Sequence, residues 1–234
     1  MQQQPLTSVL LKHQNEFASV VPFAPQKDKL SRLDFTDANK EITGSILANT
    51  SDFITYINQK LKIAGARYGI GGYGENRTIY SQSNVFGSSD DTEEPRRLHL
   101  GTDIWGKPHT PVMVPLDGIV HSFAFNNRFG DYGVTIILSH NLEGSGFFTL
   151  YGHLSLSSIK NMSEGDRIGK GDVFAEFGIP AENGQWPPHL HFQIINELGE
   201  WKGDYPGVCK FSEKNKWIAN SPDPDLMLQL NKYI

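Results

Sequence analysis

The chain has 234 residues, 38% hydrophobic, 11% aromatic and 20% charged, with a formal net charge of −5 and Cys209 as its one cysteine. That composition is ample for one domain plus an extension, and it excludes a disordered chain, an intrachain disulfide framework and a multi-cysteine metal site. No apolar run approaches the ~18 residues of a membrane span, and the acidic balance leaves no footprint for nucleic acid.

The first residues, through Phe17, lack a basic n-region and a long apolar h-region, so the compartment expected from sequence is the cytoplasm. Leu6, Val9, Leu10 and Leu11, followed by Phe17 and Val20, suit a short amphipathic helix ending before Pro22. Thr50-Ser51-Asp52 predicts the cap of a second helix carrying Phe53, Ile54, Ile57, Leu61 and Ile63, with Gly65 as its stop. The exposed stripe Phe53, Ile57 and Leu61 has to be covered, and packing on the rest of the same chain is the first expectation. Residues 1–64 therefore read as a helical N-terminal extension.

From Gly65 the texture changes to short runs of β-formers separated by turn residues. These runs are Pro111–Val114, Gly118–Phe125, Val134–Ser139, Phe147–Tyr151, Val173–Phe177 and His189–Ile195. Six short strands without helices between them predict a mainly β fold, an antiparallel sandwich or distorted barrel over residues 65–234. Ser221 through Leu230 reads as a short C-terminal helix.

Seven of the eight histidines fall between His99 and His191. His99-Leu-Gly-Thr-Asp103 places an imidazole and a carboxylate near one turn, and Tyr151-Gly-His153-Leu ends a predicted strand. In Pro188-His189-Leu-His191-Phe192, alternation puts both imidazoles on one face while Leu190 and Phe192 point into the core. Taken singly each motif is ordinary: His-x-His on a strand is commonly one exposed and one hydrogen-bonded histidine. Together they supply two imidazoles and a carboxylate, which suits a hydrolytic zinc site with one position left open.

His99-x-Gly-x-Asp103, Tyr-Gly-His153-Leu and Pro-His189-Leu-His191-Phe192, in that order, resemble the lysostaphin/LytM-type zinc metallopeptidases, peptidase family M23. The resemblance implies a β-rich fold with a groove over the metal, Zn²⁺ held by His99, Asp103 and His191, and a catalytic pair, His153 and His189. Which of the pair is the base stays open. It also implies a peptide or amide substrate lying in the groove. Two alternatives accompany it, an intracellular small-amide hydrolase and a non-catalytic regulatory module.

The sequence departs from the family pattern at Ala181 through Pro188, where Trp186-Pro187-Pro188 replaces a small, Gly- and Ser/Thr-rich stretch, and at Gln193, where Glu is frequent. Gly72 through Arg77, with Tyr80, reads either as a far wall or cover of the groove or as a Gly-rich turn followed by a strand. Arg77, Arg96 and Arg97 are candidates to meet a substrate carboxylate, solvated arginines being the commoner outcome. His140 and Cys209 read as structural, and Trp105 as half-buried packing.

Overall fold

The computed structural model describes residues 4–77 and 94–234. Its main element is an eight-stranded sheet. The strands are β1 (Leu30–Leu33), β2 (Tyr68–Gly71), β4 (Thr102–Trp105), β6 (Gly118–Asn126), β7 (Gly133–Leu142), β8 (Ser145–Leu154), β9 (Arg167–Ile168) and β11 (His189–Ile195). Their spatial order is β1-β2-β4-β11-β8-β7-β6-β9. Two small ladders pair β5 (Pro111–Met113) with β10 (Val173–Glu176), and β3 (Arg96–His99) with β12 (Val208–Lys210). The six expected strands are all present, within a few residues of their expected ends. Among the described residues no helix is long and apolar enough to cross a membrane.

The N-terminal segment differs from its helical reading. α1 (Leu6–Lys12) and α3 (Thr50–Ala64) form, with a short α2 (Gly44–Leu47) before α3, but Leu30–Leu33 is a strand. It runs parallel to β2, the one parallel pairing in the sheet. A parallel pair needs a long crossover, and α3 lies within it. The boundary read at residue 64 therefore falls inside a β1–α3–β2 unit. A four-residue strand has no period long enough to announce itself, and its partner is nearly forty residues away. Gly69 permits the contact, since a Cβ there would lie 2.4 Å from Leu33 Cδ1.

Asn49, one residue ahead of the expected cap, closes the N-terminus of α3 by accepting from the Ser51 and Asp52 amides at 2.8 and 3.3 Å. Gly65 ends the helix at φ 60°, a conformation glycine adopts without strain. Phe53, Ile57 and Leu61 pack with Leu33, Phe35, Trp105 and Val208, so the stripe is covered by the same chain. Leu6 and Leu10 of α1 join the principal core with Met227 of α5 (Asp225–Leu228). A helix not foreseen from sequence, α4 (Lys214–Asn220), precedes α5, which is shorter than expected.

The sheet has two chemically distinct faces where β2, β4, β11 and β8 adjoin. Ile70, Ile104, Leu190, Phe192, Ile194 and Tyr151 face the principal core. On the opposite face the register aligns Gly71 with Asp103, Asp103 with His191, and His191 with Gly152. Trp105 is paired with His189 in the same way. The polar face is thus fixed by strand alternation against a large apolar core.

Candidate metal centre

Three side chains from three strands converge on this face. His99 Nε2 lies 3.0 Å from His191 Nδ1 and 3.2 Å from Asp103 Oδ1, and His191 Nδ1 lies 3.0 Å from the same oxygen. All three residues are buried. His99 comes from β3, folded over the sheet by the turn at Leu100-Gly101, and Gly101 makes the approach possible. A Cβ at Gly101 would sit 2.5 Å from the His191 ring.

Each ligand nitrogen has its tautomer set by a partner on the other side of the ring. His99 Nδ1–H donates to the Gly72 carbonyl at 3.0 Å, leaving Nε2 as a lone pair. His191 Nε2–H donates to Gln193 Oε1 at 3.0 Å, leaving Nδ1 as a lone pair. Gln193 is itself oriented, its amide nitrogen donating to Pro206 O at 3.2 Å and Ser221 Oγ at 3.0 Å. The Gln at this position therefore supplies the acceptor that a Glu would, without adding a charge.

Burial, reinforced by the Arg77 guanidinium, pushes His99 down to about 3, so the imidazole is neutral as a ligand must be. Burial opposes the charge on Asp103, yet His99 and Arg77 together hold its carboxyl well below the usual carboxylate range. Two neutral imidazoles and one carboxylate, spaced at 3.0–3.2 Å, fit a small tetrahedral ion. Zinc with bonds of ~2.0–2.1 Å spaces its ligands at about 3.3 Å.

His153 and His189 stand beside this cluster, their rings 4.1 Å apart. Both are held the same way: Nδ1–H of His153 donates to Asn183 O at 2.9 Å, and that of His189 to Pro187 O at 2.8 Å. Nε2 of each ring is left as a lone pair, and both rings line the same cavity as the three converging residues. The Ala181–Pro188 segment that departs from the family pattern thus provides both orienting carbonyls. Burial pushes His189 down to about 4, while burial and then the neighbouring His189 push His153 well below the ordinary histidine value.

His153 has φ 63°, in the left-handed region. The β7–β8 register slips between Val134 and Ile136, where two steps on β7 face three on β8, and this bulge turns the His153 side chain toward the cavity. Its backbone is clamped on both sides, by His153 N–H to Tyr132 O at 3.0 Å and Gly178 N–H to His153 O at 2.9 Å. Strain held by its surroundings in this way is typical of functional sites.

Sequence reasoning missed two parts of the site. Tyr132 reaches over the cluster, its hydroxyl 3.4 Å from His191 Nε2, through space left by Gly152 and Gly207. Those glycines were the only signal. Arg77 was expected to meet a substrate carboxylate; instead it is buried, with Nη1 on Asp103 Oδ2 at 2.5 Å and Nε on Glu75 Oε2 at 2.8 Å. Gly72–Arg77 is not a strand but wraps the His99 strand end, whereas Tyr80 lies outside the described residues. Trp105 is fully buried rather than half-buried, stacked 3.8 Å beneath His189, and Trp186 lines the cavity.

The remaining sequence candidates are structural or surface residues. His109 is exposed beside Glu176, and burial pushes the Cys209 thiol up to about 12. His140 is buried away from the cavity, Nδ1 on Asp117 O at 2.9 Å and Nε2 on Thr149 Oγ1 at 2.7 Å. Burial pushes it from 6.5 down to about 4. Between those values the unfolded chain binds a proton that the folded chain does not, so acidification through this window destabilises the fold. His140→Gln is expected to flatten the stability–pH slope there by about 1.4 kcal/mol per pH unit, measured by urea unfolding of metal-free protein.

Residues 97–203 match the family model of Peptidase family M23. An L-Ala–D-Glu endopeptidase of Bacillus subtilis is 30% identical over 56% of this chain and 40% of its own length. A metalloprotease of Haemophilus influenzae is 34% identical over 42% of this chain and 18% of its own. The chain thus spans less than half the length of either relative. Among solved structures, a zinc-containing peptidase from Vibrio cholerae is 28% identical with a TM-score of 0.34, covering 42% of this chain and 27% of that one. The lysostaphin catalytic domain from Staphylococcus simulans is 20% identical with a TM-score of 0.40, covering 70% and 96%.

Proposed function

Residues 97–203 belong to peptidase family M23, and from that premise we propose that the chain is a zinc-dependent hydrolase of a peptide or amide bond. The observation that carries the reading is the convergence of His99 Nε2, Asp103 Oδ1 and His191 Nδ1 beside two further imidazole lone pairs in one cavity. His99, Asp103 and His191 would hold the ion. Bound there, zinc supplies Lewis acidity at a scissile carbonyl and brings the pKa of a water toward ~7.

The chain's own contribution is proton handling and orientation. A neutral His153 or His189, its Nδ1–H anchored on a carbonyl, presents Nε2 to accept a proton from the attacking water. The ring that receives it becomes an N–H donor at the same atom and hands the proton to the leaving amine. With rings 4.1 Å apart, protonating one opposes protonating the other, so the pair carries one proton at a time. Trp105 beneath His189 and the clamped backbone of His153 hold both rings without the substrate's help.

The name of the Bacillus relative makes a muropeptide with an L-Ala–D-Glu bond the first substrate to offer. The purified protein is expected to bind about one zinc per chain, read by elemental analysis, and to cleave one member of a panel of muropeptides, glycine-rich peptides and small amides, read by mass spectrometry. Cleavage confined to the small amides would select the small-molecule alternative. A zinc-loaded protein that cleaves nothing on the panel would select the regulatory module.

A further inference from the structure

Arg77 lies outside the residues that match the family, twenty before the match begins. Its guanidinium is nevertheless among the most deeply buried groups of the molecule, and it reaches the metal centre from behind. Nη1 takes Asp103 Oδ2, the oxygen that does not face the two histidines, while Oδ1 is the one at 3.0–3.2 Å from them. Nε is held by Glu75 Oε2 at 2.8 Å, and the Phe35 ring lies 5.2 Å from the guanidinium carbon. Gly71 provides the clearance, because a Cβ there would come within 2.7 Å of Arg77 Nη2.

The backbone around Arg77 is tied to the same ligands. Arg77 N–H donates to Arg97 O at 2.9 Å, His99 N–H to Glu75 O at 3.0 Å, and Gly74 N–H to His99 O at 2.9 Å. Gly72 O is the acceptor that sets the His99 tautomer. One segment, Gly72 to Arg77, thus fixes two of the three converging side chains.

A carboxylate with both oxygens free can bind a metal through one or both, and larger ions with more ligands favour both. A carboxylate whose outer oxygen is committed to a buried guanidinium has one oxygen to give. We propose that Arg77 is the positioning residue of this centre: by occupying Oδ2 it confines Asp103 to a single bond through Oδ1. That keeps the coordination number at three protein ligands and preserves an open position for water or substrate. The inference rests on the zinc reading above, and Glu75 serves it by holding Arg77 in place.

The test uses the full chain loaded with zinc or cobalt(II). Arg77→Met removes the charge at similar length, and is expected to weaken zinc binding by about 10–100-fold in competition with a chromophoric chelator. In the cobalt protein the strong d–d absorption of a four-coordinate ion is expected to weaken as the freed Oδ2 joins the ion. Arg77→Lys can hold Oδ2 but not Glu75 as well, and should fall between. Glu75→Gln is expected to shift both readouts in the same direction by less. A wild type that binds both metals beside an Arg77→Met protein with unchanged affinity and spectrum would overturn this inference alone. If Arg77→Met does not fold, Arg77→Lys and Glu75→Gln proteins that both match the wild type overturn it equally. A wild type that takes up neither metal overturns the zinc reading, and this inference with it.

Discussion

His191→Ala protein is expected to fold and to retain essentially no zinc, a loss well beyond the ~10–100-fold of an outer-shell change. The substitution removes one of three converging donors, while Leu190 and Phe192 on the other face keep the strand in the core. Far-UV dichroism should therefore be unchanged while elemental analysis shows the metal gone. His99→Ala is expected to do the same. Asp103→Ala should lose the metal and some stability besides, because it leaves Arg77 buried with one carboxylate partner instead of two. Breaking a buried pair costs ~3–5 kcal/mol, and the remaining Glu75 contact puts the expected loss at about 3. Full zinc retention by His191→Ala and Asp103→Ala would sink the ligand assignment.

The convergence of these side chains was legible because it depends on local pattern. His189 and His191 alternate with Leu190 and Phe192, and a strand with an apolar face on a core has its other face determined. The His99-x-Gly-x-Asp103 spacing was legible for a related reason, since the glycine is where the His191 ring needs room. What the sequence hid was everything that reaches the site from a distance. Arg77 meets Asp103 across 26 positions, Tyr132 meets His191 across 59, and no periodicity links such partners. Leu30–Leu33 was hidden likewise, because its strand character comes from the partner it finds at Tyr68–Gly71.

The Trp186-Pro187-Pro188 departure shows a different limit. From sequence it reads as a reshaped groove wall, and Trp186 does line the cavity. Its larger consequence is carried by backbone oxygens, Asn183 O and Pro187 O, whose targets no side-chain pattern reveals. Asn183 secures that loop, its amide nitrogen donating to Trp186 O and its oxygen accepting from Trp186 N–H, both at 3.0 Å.

That loop is why removing either catalytic-pair ring should silence hydrolysis without emptying the metal centre. His153→Asn and His189→Ala are expected to keep about one zinc per chain and lose activity by about 10²–10⁴-fold, the range for a positioned proton-transfer group. Asn is the better replacement at 153, because it tolerates the left-handed backbone that φ 63° requires and leaves the Tyr132 and Gly178 hydrogen bonds undisturbed. The loss should appear in kcat rather than KM, since neither ring is asked to bind the ground state more tightly than the transition state. Should either variant lose zinc as completely as His191→Ala, that histidine is a ligand and the division of roles is wrong. If His153→Asn keeps both zinc and full turnover, His189 alone carries the proton, and the strain at position 153 serves the loop instead of the chemistry.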